Sequence, residues 1–580
     1  MRRRRWSATV VLALALAAGG CVSLPTEGPV VDSEVAGVED TQRASDIDAR
    51  PPAKGATRIE IVTGFLDAMT AWPIQTSAAK EYLTEEAAAA WNPEAATVVY
   101  SDALPAQEDG GSIEVALTSA DGLDAVGGWR GPVSAGELTL RYRVTIEDGE
   151  YRIADPQDAL IVPTSWFQQR YRQVSLYYFD PIAQILVPEP VFVPQGEQLA
   201  TSLVSSLLAG PPPEARGLVR SFLPSGLSVG LSVPVDDAGV ADVDLVGDAP
   251  RLTAKEAELL LAQLAWTLRQ VGGISAVRVT VGGVDLPIPG GASQYPVSAA
   301  VEFDPAGDDA TTLLFGISRG RLVWGSPGNL VPATGPFGEE SAAVEAVAAR
   351  PDAEVVAAVD QAGRRLQVGP VRQPTDGGAE ARTILSGGTY ARPSWDVAGR
   401  LWVLDRRRTG ARVWVVENDR AREVGVAGVT GTDARQLVVS RDGTRLVAVV
   451  RSVEGDAVVG ARVSINGRGR VGSTRGQYLV RAAEGTVIDD VVWTSPTRVG
   501  LLTPTAPGSL YEVDVVAADG ASFGVDALST IVTGRVIGLA AAPSRGAPMF
   551  AVYADRYVDL VDQESQAADD LVLTQLDNAG

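Results

Sequence analysis

The sequence predicts a multidomain chain that is α+β in its first half and all-β in its second. Three observations predict this. Up to about residue 300, apolar residues at helical spacing alternate with short strand-like runs. Beyond Phe303 the helical pattern disappears, and polar turns recur, each followed by a valine- or leucine-rich run. The 61 glycines and 36 prolines in 580 residues supply the many turns that a strand-rich chain needs.

Composition narrows the functional classes. The length predicts roughly three to four domains. A 46% apolar and 21% charged composition is that of a folded chain. The formal net charge is −23, and removal of a leader carrying Arg2, Arg3, Arg4 and Arg5 takes it to −27. Such a surface repels phosphate backbones and anionic headgroups, so no nucleic-acid partner is expected. There is no histidine. That removes Ser-His-Asp and Cys-His catalysis, haem ligation by histidine and the usual zinc sites. Cys21 is the only cysteine, so no internal disulfide forms. We therefore expect no catalytic residues, no metal and no cofactor, and hence no enzyme. Chemistry that needs only carboxylates stays open.

The first element, residues 1–20, reads as an export signal. Its arginines precede a short apolar run at 10–18, and Ala18, Gly19 and Gly20 lead to Cys21. The run is too short to span a bilayer. The order of small residues and cysteine resembles a bacterial lipobox, although Ala18 stands where leucine is usual. That resemblance implies a diacylglyceryl group on Cys21 and retention at the outer face of the cytoplasmic membrane, where two acyl chains suffice for lasting attachment. A plain secreted chain with an incidental cysteine is the competing reading. Residues 21–55 are rich in Asp, Glu, Pro, Gly and Ser and read as a solvated tether.

Residues 56–170 read as an α+β domain. Ile59, Val62, Phe65, Leu66 and Met69 predict a helix over 59–71, and 76–90 predicts a second. Strands follow at 96–100, 112–117, 137–146 and 151–153. The order resembles small cone-shaped folds of the NTF2 type. Residues 171–300 form a second α+β unit. It has strands at 174–179, 185–187, 227–233, 240–245 and 277–281, and a helix at 199–209. A second helix, at 253–271, opens on a capping box of Thr253 and Glu256.

Residues 301–580 carry the loose repeat. It is visible at Arg350-Pro-Asp352, Pro393-Ser-Trp395, Ser440-Arg-Asp442, Trp493-Thr-Ser495 and Pro543-Ser-Arg545. An interval of roughly 45 to 53 residues matches a β-propeller of about five to seven blades. A stacked pair of β-sandwiches is the alternative.

Particular motifs point to a family. Pro211-Pro-Pro213, Leu223-Pro-Ser-Gly226, Val243-Asp-Leu245 and 261–268 resemble a GerMN domain. Upstream, 61–69, Tyr82-Leu-Thr84 and 176–181 resemble the actinobacterial LpqB lipoproteins, as does the order of signal, lipobox, N-terminal domain, GerMN unit and propeller. The resemblance implies a membrane-anchored extracytoplasmic protein. Such a protein acts on the outer part of a sensor histidine kinase of the MtrB type, and so on cell-wall homeostasis and division. Only Cys21 carries over as a site residue.

Other motifs carry less. Gly272-Gly273 and Gly282-Gly283 lack the Lys-Ser/Thr of a phosphate loop. Asp236, Asp237, Asp242 and Asp244 lack EF-hand spacing, and Asp489-Asp490 begins a strand. Trp166, Trp266, Trp395, Trp402, Trp414 and Trp493 are core candidates or, together, a sugar-stacking surface. Trp395 and Trp493 occupy related places in two repeats. Arg406-Arg-Arg408 reads as a hairpin tip that is also a candidate contact for an acidic partner. Three functions follow: a protein that binds the kinase, a module that binds peptidoglycan, and a carboxylate-dependent glycan hydrolase, the last without an acidic pair to support it.

Overall fold

A computed structural model describes residues 49–580 apart from 197, 249–251, 308–310, 374–379, 466–469, 474–475, 523–528, 545 and 569–570. The expected signal 1–20, Cys21 and nearly all of the expected tether lie outside the described residues. No helix among the described residues is long and apolar enough to cross a membrane.

The chain enters its first helix, Arg58–Ala68, through a reciprocal cap. Thr57 Oγ1 accepts from the Glu60 N–H at 3.3 Å, and Glu60 Oε2 accepts from the Thr57 N–H at 2.7 Å. A cap of this kind stabilises a helix by about 1 kcal/mol. Ile61, Val62 and Phe65 face the core from this helix. The helix expected over 76–90 is divided into Ser77–Lys80 and Glu85–Ala90. Thr84 makes the division: its N–H donates to Ile153 O, and its side chain accepts from Ala87 N.

Two four-stranded sheets follow. Trp129–Pro132, Ala120–Asp124, Ala96–Tyr100 and Leu160–Pro163 form one; Gln107–Asp109, Ser112–Ala116, Thr139–Glu147 and Glu150–Ile153 form the other. The strand at 96–100 stands as read from sequence. The strands at 120–124, 129–132 and 160–163 went unread, because they are short and glycine- or proline-marked.

A long antiparallel hairpin, Tyr171–Phe179 with Leu186–Pro194, then leaves this domain. Its second strand is three times the length expected from 185–187, because it runs on through Pro188 and Pro190. Both prolines sit opposite residues whose N–H groups point away from the hairpin. Pro188 faces Tyr177, whose N–H goes to Thr267 Oγ1, and Pro190 faces Ser175, whose N–H goes to Gln270 Oε1. No ladder bond is lost, so proline is tolerated there.

The hairpin lies on the helix Ala254–Leu268, which opens on the expected Thr253–Glu256 capping box. That helix connects the parallel strands Val240–Val246 and Ala276–Val281. Leu260, Leu261 and Leu264 of the helix share one core with Leu203 of Leu199–Leu208, Val243 and Val279 of the sheet, and Leu176 and Val187 of the hairpin.

From Leu314 onward the described residues form six sheets, each with four strands in simple antiparallel succession and one with a fifth strand attached. The first sheet joins Leu314–Ser318, Arg321–Ser326 and Asn329–Pro332 to the last strand of the chain, Leu573–Asn578. None of the sheets closes on itself. The leading strands Val344–Ala349, Ser394–Trp395, Ala434–Val439, Asp490–Ser495, Gly538–Ala541 and Leu573–Asn578 touch one another in that order, and the last touches the first again. The repeated motif occupies one structural place: the turns near 350–353, 396–399, 440–443 and 495–497, and residues 542–544, each follow the first strand of a sheet and lead to its second.

Leu573–Asn578 thus fastens the beginning of this region to its end. Leu576, 2% exposed, packs with Leu314 and Val323. Leu576→Ala is expected to cost about 2–5 kcal/mol in urea unfolding. Hydrogen exchange should speed up in Leu314–Ser318 before it does so in the helix Ala254–Leu268.

Candidate functional site at the hairpin joint

The hairpin touches every other folded part. The outward edge of its first strand bonds through Tyr177 to Thr267 of the helix Ala254–Leu268 and through Ser175 to Gln270 just past that helix. On its second strand, the Phe192 N–H donates to Gly127 O of the N-terminal domain at 2.8 Å. The Phe192 ring lies 5.4 Å from Phe167 and 6.2 Å from Trp129 in that domain's core. Ala517 and Ala521 of the fifth sheet join the same core.

Between these anchors, Glu189 enters the fourth sheet. Its Oε2 accepts from Arg462 Nη1 at 2.8 Å and from Arg445 Nη2 at 3.1 Å, while Oε1 accepts from Arg462 Nη2. Arg445 Nη2 also donates to Pro188 O at 2.6 Å. The Glu189 and Arg445 side chains are each 4% exposed. Burial alone would raise the Glu189 carboxyl, but Arg462, and after it Arg445, hold it below the usual carboxylate range. Arg445 is lowered by burial and by the neighbouring Arg462, whereas the Glu189 carboxylate holds Arg462 above its ordinary value against burial.

Asp519 stands beside this group, in the turn that follows the strand Leu510–Ala517. Its Oδ2 accepts from Gln173 Nε2 of the hairpin at 3.4 Å. Burial pushes its carboxyl up to about 6, opposed by the Ala521 N–H and by Arg445.

A second charged group lies where the leading strands meet. Arg392 Nη2 donates to Asp490 Oδ1 at 2.8 Å, and its Nη1 stands 3.5 Å from Asp577. Arg392 and Asp577 line a small cavity of about 20 Å³ together with Trp493 and Asn578, whose Nε1 and Oδ1 lack protein partners. Burial pushes Asp577 up to about 6, with Arg392 opposing. Arg441, 2% exposed, donates to Ala306 O and Ala579 O, and burial pushes it down to about 10. Its two carbonyl partners hold the entry and exit of the six-sheet region together.

Three family descriptions match consecutive parts of the chain: the N-terminal domain of lipoprotein LpqB over 51–168, sporulation and spore germination over 175–287, and the lipoprotein LpqB beta-propeller domain over 320–547. The chain belongs to the LpqB lipoprotein family. LpqB from Cutibacterium acnes is 26% identical over 545 residues, covering 88% of each chain. LpqB from Thermobifida fusca is 27% identical over 562 residues, covering 87% of each. Among solved structures, the first GerMN domain of GerM from Bacillus subtilis is 21% identical, with a TM-score of 0.19, over 21% of this chain and 96% of that one.

Within this LpqB-family chain the other residues singled out from sequence are dispersed. Arg406, Arg407 and Arg408 do sit on a hairpin tip, between Leu401–Asp405 and Arg412–Glu417, where Arg407 pairs with Asp405 at 2.6 Å. Trp166, Trp266, Trp395, Trp402 and Trp493 are buried, and Trp414 is half-buried. Trp395 and Trp493 both lie on leading strands. Asp236 caps its own turn by accepting from Ala238 N and Val240 N. Asp242 pairs with Arg278 at 2.6 Å, and Asp244 accepts from Thr280. No group of three or more metal-binding side chains occurs among the described residues. Sequence reasoning missed Glu189. Its one signal was a glutamate between prolines inside an otherwise apolar run.

Two outcomes follow. Glu189→Gln keeps the shape but leaves two buried guanidinium groups without their counter-charge, so it is expected to cost about 3–5 kcal/mol in chemical unfolding. Asp519 has its folded pKa raised from 3.8 to about 6, so its ionisation opposes folding above that pH and costs nothing below the unfolded value. Asp519→Asn should therefore stabilise by roughly 1–2 kcal/mol at pH 7, with the gain shrinking to nothing as pH falls from 6 to 4. A gain independent of pH across that window would contradict the assignment.

Proposed function

We propose that this chain is an envelope lipoprotein, held by acyl chains on Cys21 at the outer face of the cytoplasmic membrane, that docks on the extracytoplasmic domain of a sensor histidine kinase of the MtrB type and so tunes cell-wall homeostasis and division. The observation that carries this reading is the hairpin joint. It unites three folded parts into one body through Glu189, Phe192 and the Ser175–Gln270 bonds. A body of that construction keeps a binding surface in fixed relation to its other folded parts. Regulation then needs tighter binding to one signalling state of the kinase than to the other, since equal binding shifts nothing.

Two finer readings of the fold belong to the proposal. The six sheets form a closed propeller, supported by the cyclic order of the leading strands and by the pairing of Leu573–Asn578 with Leu314–Ser318. The N-terminal domain is a cone of the NTF2 type, supported by helices packed on strands. The second functional reading, contact with peptidoglycan and no kinase, draws less support, because the tryptophans that would stack on sugars are mostly buried.

Labelled palmitate should enter the protein and be absent from Cys21→Ala, which should leave the membrane fraction. The purified soluble body should bind the kinase ectodomain saturably and should not sediment with purified cell wall. Sedimentation with cell wall and no capture of the ectodomain would transfer support to the glycan reading.

A further inference from the structure

The hairpin joint uses only one end of the six sheets. Arg445 begins a second strand, just after the turn 440–444, and Asp519 lies in the turn between a third strand and a fourth. The opposite end is made by the connections from second strand to third and from each sheet to the next. That end is open where the sixth sheet meets the first.

A groove of about 530 Å³, open to solvent, lies there. Ile537, Tyr553, Val572 and Leu573 supply its apolar lining, and Arg535 and Arg556 border it. Its floor is held by hydrogen bonds from two main-chain N–H groups: Leu573 N donates to Ala554 O at 2.7 Å, and Val572 N donates to Ser318 Oγ at 3.0 Å. Tyr553 is fixed at both faces of its role. Its hydroxyl donates to Thr533 O at 2.9 Å, and the Arg556 guanidinium lies 4.2 Å from its ring centroid. Val572 is 47% exposed although it adjoins an apolar cavity. The same end carries the exposed Arg407 and Arg408 on the third sheet.

We propose that this groove docks an extended acidic segment of a partner protein, with one large apolar side chain seated between Ile537 and Val572 and flanking carboxylates on Arg535 and Arg556. The inference rests on the reading of the chain as a protein-binding lipoprotein and assigns the surface that does the binding. Charge complementarity selects the occupant. The body as a whole is strongly acidic, so an acidic segment is repelled elsewhere, and that repulsion decays within about 8 Å at physiological ionic strength. Only a site that sets guanidinium groups beside an apolar slot turns local attraction against it. Asp555 pairs with Arg556 at 3.1 Å at the exposed rim, and an incoming carboxylate exchanges with it.

The test uses the soluble body and a labelled peptide with one phenylalanine flanked on both sides by glutamates. Saturable binding in fluorescence anisotropy is expected, with no binding of the lysine-flanked counterpart. Arg535→Glu, at an exposed position, should weaken binding about tenfold, and Ile537→Glu at least as much. Equal binding to all variants, or none to the wild type, overturns the groove. Capture of the kinase ectodomain that both variants leave unchanged also overturns it, while the proposed function survives. Peptide binding with no capture of the ectodomain has the reverse meaning: the groove stands and the kinase reading falls.

Discussion

Glu189 is placed where a carboxylate is costly unless it is answered. Its side chain is almost wholly withdrawn from water, and no residue near it in sequence compensates it. The compensation comes from Arg445 and Arg462, more than 250 residues away, with Arg462 bidentate. Burying three charges in one place contributes little net stability compared with an apolar contact of the same shape. What it contributes is selectivity of arrangement. The hairpin has one seating on the fourth sheet in which all three charges are satisfied, and displacement by a few ångströms would strand them.

The rest of the molecule is arranged around that seating. The hairpin can pass between three neighbours because both of its outer edges are occupied: by Thr267 and Gln270 on one side, and by Gly127 and Arg445 on the other. Prolines at 188 and 190 suit this route, since they stand where no ladder bond is due and they stiffen the strand on either side of Glu189. The six sheets take the hairpin at the end where the repeated turns lie, and their other end stays exposed. The two ends of the six sheets therefore differ: one is committed to the molecule's own scaffold, the other is presented to solvent.

Local order was legible in the sequence, and long-range order was not. The capping box at Thr253 and Glu256 and the strand at 96–100 depend on neighbours within a few residues, and each stands as read. The repeat was legible because the same turn between first and second strands recurs five times, although six sheets are formed. The first sheet escaped the register, since its leading strand comes from the far end of the chain at Leu573–Asn578. The prolines of Leu186–Pro194 hid most of a strand read only over 185–187, and Thr84 divided a stretch whose alanines promised one helix. The Glu189 group depends on side chains brought together only by the fold, and composition carries no trace of it. The cluster Arg406–Arg408 was legible as a hairpin tip, whereas Cys21, expected as an anchor from its sequence context, lies outside the described residues.

The central claim is that Glu189 locks the hairpin to the sheets and makes one body of the folded parts. Spin labels at Ser101→Cys and Asn329→Cys, both exposed positions, in a soluble form carrying Cys21→Ser, would report the distance between the N-terminal domain and the first sheet. The account predicts a single narrow distance distribution that broadens when Glu189→Gln is added. A broad distribution in the parent, or a narrow one that the substitution leaves unchanged, would contradict it.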